Sequence, residues 1–171
     1  MEGGGLTYRG ELMRISIDLH GVITERPEFF AWLTKKLVSH HDAVFILTGQ
    51  AAGIALVREL DKHHVLFHHI LSVTTYHRMI GTPIRYKKGD PTQPVMPYGV
   101  WDPTKAKLCE LYDIDLHIDD SDVYGKFFTG HTIYVNVKEF DSMASFYKVI
   151  KEKLNEPRRI EHRQNQLGGL T

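Results

Sequence analysis

The chain has 171 residues, of which 42% are hydrophobic and 25% are charged, as expected for one globular domain with a sizeable core. Lys plus Arg and Asp plus Glu both number 21, and the resulting net charge of zero argues against a protein that binds nucleic-acid phosphates mainly through a basic surface. A single cysteine, no apolar run long enough to span a membrane and no signal-peptide pattern together predict a soluble cytoplasmic protein.

Strands and helices are predicted to alternate along the first half of the domain. The glycine-rich residues 1–12 are expected to be a flexible lead-in, and one domain is predicted over 13–155. Uniformly apolar stretches favour strands that are buried on both faces, and amphipathic stretches favour helices. The predictions for this half are, in order, a strand in 12–19, a helix over 27–41, a strand over 42–49, a helix over 50–64 and a strand within 65–75.

An irregular segment is predicted in the middle of the domain. Residues 81–101 hold four of the seven prolines and three glycines, which favours a flap or loop without regular structure. Alternation of strands and helices resumes after this segment. The predictions here are a helix over 102–114 capped by Asp102 or Thr104, strands over 115–122 and 131–137, a helix over 141–155 capped by Asp141 or Ser142, and a flexible tail over 156–171.

This alternation predicts an α/β fold, with a doubly wound, mainly parallel sheet and helices on both faces. Ligands of such sheets bind beyond the carboxyl ends of the strands. Polar residues stand at those predicted ends: Asp18 on the first strand, Thr48 on the second, and Asp119 with Asp120 on a later one. Lys105 begins the helix that leads into that later strand, so we expect it at the same edge. The five side chains are predicted to form one site.

Three carboxylates in one site would repel each other unless positive charge lay among them. Lys105 supplies one charge, and an oxygen-rich ligand set favours Mg²⁺ as a second. A metal would in turn attract phosphate, whose oxygens the Thr48 hydroxyl, the Gly49 amide and the amides of the loop 19–24, which contains Gly21, could bind. The composition of the site therefore predicts a phosphoryl group as its ligand.

Asp18 would then be placed to attack phosphorus and form an aspartyl-phosphate that water hydrolyses. Mg²⁺ would offset the repulsion between this carboxylate and the phosphate. Lys105 would keep Asp18 ionised and neutralise charge in the transition state. These roles predict a phosphatase.

The order of these parts resembles the haloacid dehalogenase (HAD) superfamily. The stretch DLHGVIT over 18–24 resembles its first motif, and VFILTG, with Thr48, its second. Lys105 matches the third motif, and LHIDDS over 116–121 resembles the fourth. Only 23 residues separate Thr24 from Thr48, which leaves no room there for a lid domain. The resemblance therefore implies a small-cap or capless, phosphatase- or nucleotidase-like member.

The chain departs from this family at His20. The family's phosphatases have a second aspartate at this position; it protonates the leaving group and activates water, and its backbone carbonyl binds Mg²⁺. The resemblance therefore implies that Asp18, the His20 carbonyl, and Asp119 or Asp120 hold the metal, with Asp119 preferred. Asp122 lies closer than the usual spacing of a further acid and is expected to be a solvated loop residue.

Two interpretations of His20 stay open. In one, His20 is the general acid and base, because histidine side chains exchange protons near neutral pH. In the other, it marks a weakened relative that keeps the metal site and binds a phosphorylated ligand or a protein partner without turnover. General acid–base help contributes roughly 10²–10⁴-fold in rate, so the two interpretations predict very different activities.

Two further groups of residues have a structural and a functional interpretation. The histidines of HHVLFHH over 63–69 flank an apolar run, so neighbours point to opposite faces of a strand and a structural or surface role is favoured over zinc binding. The basic run IRYKKGD over 84–90 is expected to be a solvated loop, with steering of a phosphorylated substrate as the alternative. A phosphorylated small molecule or nucleotide is the predicted partner; a nucleic-acid end is less favoured, a membrane is not expected, and homo-oligomerisation is left open.

Overall fold

The computed structural model describes residues 12–88 and 90–155. The predicted lead-in and tail lie outside these residues, apart from Leu12. The chain forms two compact units: Leu12–Phe140 is the larger, and the described part of the smaller covers 141–155. The prediction of one domain over 13–155 stays a prediction. No helix in the described ranges is both long and apolar enough to cross a bilayer.

Among the described residues, the larger unit contains seven strands and five α-helices, and the smaller unit contains a sixth α-helix. The strands are β1 (Arg14–Ile17), β2 (Ala43–Thr48), β3 (His69–Ser72), β4 (Arg85–Lys87), β5 (Asp90–Val95), β6 (Leu116–Asp119) and β7 (Ile133–Asn136). The helices are α1 (Pro27–Ser39), α2 (Ile54–Lys62), α3 (Val73–Met79), α4 (Thr104–Leu111), α5 (Asp122–Gly125) and α6 (Met143–Asn155).

Five parallel strands form the main sheet in the order β3-β2-β1-β6-β7. The chain winds from β1 through β2 to β3 and then crosses to β6 and β7 on the other side. Because such crossovers are right-handed, the helices of the two halves lie on opposite faces of the sheet. This arrangement confirms the predicted doubly wound α/β fold. The switch point, where ligands of such folds bind, lies between the carboxyl ends of β1 and β6.

The central strand, β1, has sheet neighbours on both sides. Ile15 pairs with Val44 on one side and Leu116 on the other. Ile15 and Ile17 on one face of the strand and Ser16 on the other are all fully buried, which agrees with the prediction of a first strand covered on both faces. Burial of such side chains is the main favourable contribution to this fold, at roughly 1.5–3 kcal/mol each.

Helix α3 differs from the predicted structure. A strand was predicted within 65–75, where β3 lies, but no helix was predicted after it; VTT opens a helix in which Ser72 accepts a hydrogen bond from the Thr75 amide at 2.9 Å. This side-chain cap satisfies a free amide of the first turn and outweighs the strand preference of β-branched residues.

The segment 81–101 and the start of α4 also differ from prediction. Part of the expected irregular flap is an antiparallel hairpin of β4 and β5, with a register shift between Tyr86 and Lys87. Prolines are tolerated in such a two-stranded ribbon because its edges need no partner. Asp102 and Thr104 do not cap α4; the residue before that helix is Pro103, and the Thr104 hydroxyl donates to the Val100 carbonyl at 2.8 Å. In the smaller unit, Ser142 accepts from the Ser145 amide, as the predicted cap requires.

Candidate metal and phosphate site

Asp18 extends from the end of β1 into the switch point. Its amide donates to the Ile118 carbonyl at 2.9 Å, which continues the ladder between β1 and β6 by one residue. The chain then turns over Leu19–Ile23, where Gly21 has φ of 79°. The side chains of Leu19, Val22 and Ile23 are buried and fix this turn against the core. The Asp18 carboxylate is therefore held at the sheet edge by backbone on both sides.

Lys105 joins the ends of β1 and β6. It lies in the first turn of α4, and its side chain is 4% exposed. Its Nζ is 3.1 Å from Asp18 Oδ2 and 2.6 Å from Asp119 Oδ2. Burial alone would lower the pKa of Lys105, but the two adjacent carboxylates outweigh burial and hold that pKa above its ordinary value. The site therefore contains a permanent cation.

The Asp119 carboxylate is fully buried and has a donor on every side. Oδ1 accepts from the amides of Asp120 at 2.8 Å and Ser121 at 3.0 Å. Oδ2 accepts from Lys105 Nζ and, at 3.1 Å, from His117 Nε2. Burial alone would raise the pKa of Asp119, but the donors His117 and Lys105 hold it well below its usual range. Two donors on each oxygen leave this carboxylate little remaining capacity to bind a metal.

His117 is a site residue that the sequence interpretation missed. Its ring is fully buried, stacks on Phe128 with 5.3 Å between centroids, and has Nδ1 2.7 Å from Ser16 Oγ. Cys109 Sγ lies 3.6 Å from the same hydroxyl. Burial lowers the pKa of His117, which favours a neutral ring that donates from Nε2 to Asp119 and accepts from Ser16. The result is a buried chain of hydrogen bonds that orients Asp119.

Asp120 completes a group of three carboxylates, hereafter the acid trio, formed by Asp18, Asp119 and Asp120. One oxygen from each of Asp18, Asp119 and Asp120 lies within 4.8 Å of the others. Asp120 is partly exposed, and its Oδ2 is 2.6 Å from Lys138 Nζ. A set of carboxylate oxygens at this spacing fits a hard cation such as Mg²⁺. The structure thus brings together the acids and the lysine that the sequence placed at one edge.

Asp18 is an acid of this group whose pKa is raised, in contrast to that of Asp119. Burial, together with the charge of Asp119, raises its pKa to about 7, against the opposing effect of Lys105. The folded protein without metal therefore keeps a proton on Asp18 at pH values where the unfolded chain has lost it. A divalent cation at the site would replace that proton.

We expect the stability of the metal-free protein to fall between about pH 4 and pH 7 because of Asp18. The contribution of this group is full below the unfolded pKa, and it is lost as the pH rises through the folded pKa. Asp18→Asn cannot ionise, so its free energy of unfolding should exceed that of wild type by on the order of 2–4 kcal/mol above pH 7 and match it near pH 4. Urea denaturation in EDTA across this pH range measures the difference. A stability difference between the two proteins that did not change with pH would contradict a raised pKa of Asp18.

Gly21 allows the first turn to approach Asp120 closely. A Cβ at this position would lie 2.3 Å from Asp120 Oδ2, and the backbone has a positive φ. We expect Gly21→Ala to displace Asp120 and to weaken Mg²⁺ binding by about tenfold or more, as titration calorimetry would measure. Gly53→Ala is the matched control, because a Cβ there has open space around it. Equal Mg²⁺ affinity in the two variants would show that the close contact between Gly21 and Asp120 does not matter for metal binding.

Thr48 and Gly49 form the adjoining edge of the site. Ile17 pairs with Ile46, so Thr48, two residues further along β2, lies level with the turn after Asp18. The Thr48 hydroxyl is buried and accepts from the Gln50 amide at 3.2 Å. The Gly49 carbonyl accepts from Thr74 Oγ1 at 2.6 Å. These contacts hold a compact loop beside Asp18, hereafter the 48–50 loop.

Two aromatic rings border this edge of the site. A Cβ on Gly49 would lie 2.7 Å from the Trp101 ring, so only glycine fits beneath it. Trp101 Nε1 donates to the Tyr124 hydroxyl at 3.1 Å, and the Tyr124 ring lies 4.7 Å from Lys105 Nζ. The Tyr124 ring covers the buried Lys105 ammonium, and the exclusion of water strengthens the interaction of this ammonium with the nearby carboxylates.

The side chain of His20 contacts Glu59 and is not part of the group formed by Asp18, Asp119 and Asp120. It is 57% exposed, and its Nε2 is 3.4 Å from Glu59 Oε1 on α2. Asp122 is exposed as predicted, but it begins α5 instead of lying in a loop, and its Oδ1 accepts from Asn136 Nδ2 at 2.6 Å. Within the described residues, the one group of histidine, cysteine or acidic side chains with metal-binding spacing is the acid trio. The histidines of 63–69 are therefore no part of such a group, and His68 Nδ1 accepts from the Val44 amide.

Comparison with known proteins shows only distant likeness in structure. No protein-family model and no curated protein matches the chain. A glycosyltransferase from Rickettsia africae ESF-5 has 15% identity and a TM-score of 0.41 over 82% of this chain, which spans 35% of the glycosyltransferase chain. The core domain of a candidate phosphoglycolate phosphatase from Streptococcus pneumoniae TIGR4 has 15% identity and a TM-score of 0.43, with 82% of this chain and 96% of that domain covered.

Proposed function

We propose that the protein is a Mg²⁺-dependent phosphatase that hydrolyses a phosphomonoester through an aspartyl-phosphate on Asp18. The observation that carries this proposal is the junction of Asp18, Lys105 and the acid pair 119–120 at the switch point of the sheet. A buried carboxylate beside a buried ammonium and a metal-binding carboxylate is the set of groups that phosphoryl transfer to an acid requires. A nucleotide or another phosphorylated small molecule is the proposed substrate.

Asp18 and Asp120 would hold the metal, together with the backbone carbonyl of His20. This assignment differs from the preference for Asp119, because the Asp119 oxygens already accept four hydrogen bonds. Asp119 would instead position Lys105. When bound, Mg²⁺ would supply charge that binds a phosphate oxygen and offsets its repulsion from Asp18.

The residues of this chain would divide the reaction into two steps. In the first, an Asp18 oxygen bonds to phosphorus while the bond from phosphorus to the ester oxygen breaks, and the leaving oxygen takes a proton from His20. In the second, water attacks phosphorus, gives a proton to His20 and releases inorganic phosphate with a free Asp18 carboxylate. Lys105, the Thr48 hydroxyl and the Gly49 amide would bind the phosphoryl oxygens in both. The Gly21 amide, which was predicted to do the same, already donates to Thr24 Oγ1 at 3.0 Å.

Phosphate release from p-nitrophenyl phosphate tests this proposal directly. Purified protein should release phosphate with Mg²⁺ and lose that activity in EDTA. Because the probe has a good leaving group, it reports on Asp18 and the metal even where proton donation is weak. If neither this probe nor any nucleotide of a panel gave Mg²⁺-dependent phosphate release, the phosphatase would be excluded.

Replacement of His20 tests the proposed acid and base. We expect His20→Ala to lower kcat for a substrate with a poor leaving group by about 10²-fold and to change p-nitrophenyl phosphate hydrolysis far less. His63→Ala is the control, because His63 lies at the far end of α2. An equal loss on both substrates would point to a role in metal binding or folding instead.

A second candidate function is supported by the position of the His20 side chain. Its contact with Glu59, away from the acid trio, is also compatible with a protein that binds a phosphorylated ligand without turnover. In that case His20→Asp should produce a large gain of phosphatase activity, whereas a loss would mean that His20 is catalytic. Ligand-dependent thermal stabilisation without phosphate release would favour the binding protein.

A further inference from the structure

The segment after α2 concentrates positive charge in a chain whose net charge is zero. From Lys62 to Gly89 the sequence has five Lys or Arg residues and no Asp or Glu, while the rest of the chain has 16 Lys or Arg against 21 acids. Four of the five cations lie at the end of α3 and on the β4–β5 hairpin. We call these four the basic hairpin: Arg78, Arg85, Lys87 and Lys88.

The cations of the basic hairpin are exposed on the protein surface. No ion pair joins any of the four to an acid whose side chain the structure describes, a set that leaves out Asp90 on β5. Arg78 instead stacks on Tyr86, with its guanidinium 5.6 Å from the ring centroid, and donates to the Tyr86 hydroxyl. This contact attaches the hairpin to α3. Asp90 is the one acid in the sequence of the hairpin, so the four cations leave it a net positive charge, which attracts anions.

The basic hairpin is connected to the proposed phosphoryl site at two points. Thr74 on α3 donates to the Gly49 carbonyl of the 48–50 loop. Arg78 follows four residues later, which places its Cα about 6 Å further along the helix axis. His77, between them in sequence, has Nε2 2.8 Å from the hydroxyl of Thr104, the neighbour of Lys105, and Nδ1 2.9 Å from Thr82 Oγ1 at the start of the hairpin.

We propose that the basic hairpin binds a second phosphate group of the substrate. The enzyme would then act on molecules with at least one phosphate besides the one that is hydrolysed, and this inference rests on the proposed phosphatase function. Arg and Lys form charge-assisted hydrogen bonds with phosphate oxygens. Phosphates along a nucleic-acid strand are separated by about 3.4 Å of axial rise, so a second or third phosphate could reach α3 from the 48–50 loop. A nucleotide with two phosphates and the end of a nucleic-acid strand both carry a second phosphate of this kind.

Three substrates and two triple variants test the proposal. The hairpin variant is Arg85→Ala, Lys87→Ala and Lys88→Ala; the control, with the same loss of charge, is Lys35→Ala, Lys62→Ala and Lys148→Ala. The substrates are p-nitrophenyl phosphate, adenosine 3′,5′-bisphosphate and a 5′-phosphorylated trinucleotide. We expect the hairpin variant to raise KM about tenfold for the bisphosphate, the trinucleotide or both, and to leave p-nitrophenyl phosphate within twofold of wild type. The substrate whose KM rises shows whether the second phosphate belongs to a nucleotide or to a nucleic-acid strand.

Other outcomes would overturn the inference. They are an unchanged KM for both multiply phosphorylated substrates, an equal change for p-nitrophenyl phosphate, an equal change in the control variant, and a change only in oligomeric state, which would make the hairpin a contact between copies. Fluorescence anisotropy with labelled forms of the same two ligands separates this inference from the proposed function. Hairpin-dependent binding without phosphate release would exclude the phosphatase alone, and phosphate release without hairpin dependence would exclude this inference alone.

Discussion

Asp18→Asn should lower phosphate release from p-nitrophenyl phosphate by roughly 10⁴-fold or more. The amide cannot act as the nucleophile, so removal of the charge stops the first step rather than slowing it. Because Asp18 is buried beside Lys105, the substitution changes the site and leaves the charge of the protein surface as it was. Acid-quenched protein should also lose the covalent phosphate that wild type accumulates, as mass spectrometry of the peptide that contains residue 18 would show.

Asp61→Asn is the control for this variant. Asp61 is an exposed acid on α2, so its loss changes net charge by the same amount without reaching the site. Its activity should stay within twofold of wild type. If Asp18→Asn kept a comparable rate while folded, the covalent mechanism would be wrong.

Lys105→Met should lower kcat by about 10³-fold and also destabilise the protein by about 3–5 kcal/mol. Methionine fills the space of the lysine stem but leaves Asp18 and Asp119 facing each other without a cation. Both acids are buried, so neither can exchange this partner for water. Thermal denaturation and phosphate-release assays on the same preparation measure the two effects separately. Mg²⁺ should recover part of the stability, since it also neutralises the acids.

Lys107→Met is the matched control, two residues along the same helix. Lys107 is exposed, and its ammonium lies 5.4 Å from the Tyr76 ring rather than near an acid of the site. Lys107→Met should change the free energy of unfolding by less than about 1 kcal/mol and leave kcat unchanged. Similar losses in the two lysine variants would mean that Lys105 has no special role.

The sheet and its functional edge could be predicted because both depend on local pattern. The apolar run that ends at Asp18 and the run that ends at Asp119 each identify a buried parallel strand and its carboxyl end. The lysine at the start of a helix follows from the same alternation. Parallel topology then brings these residues together without further information.

The remaining features depend on contacts between distant parts of the chain. Ser16 and His117 meet because β1 and β6 are paired in that register, which no local pattern shows. The choice between Asp119 and Asp120 depends on which carboxylate already has donors, and hence on the direction of each side chain. Helix α3 was missed because Val73 and Thr74 favour a strand when the cap at Ser72 is not considered.

A crystal structure with Mg²⁺ and fluoroberyllate, a mimic of a phosphoryl group, would show whether Asp18 is the nucleophile and shares a metal with Asp120. We expect beryllium bonded to an Asp18 oxygen, with Mg²⁺ about 2.0–2.1 Å from Asp18 and Asp120 and Lys105 hydrogen-bonded to a fluoride. At saturating Mg²⁺, an acid trio that holds no metal, or a fluoroberyllate bound away from Asp18, would show that Asp18 is not the nucleophile of a Mg²⁺ site.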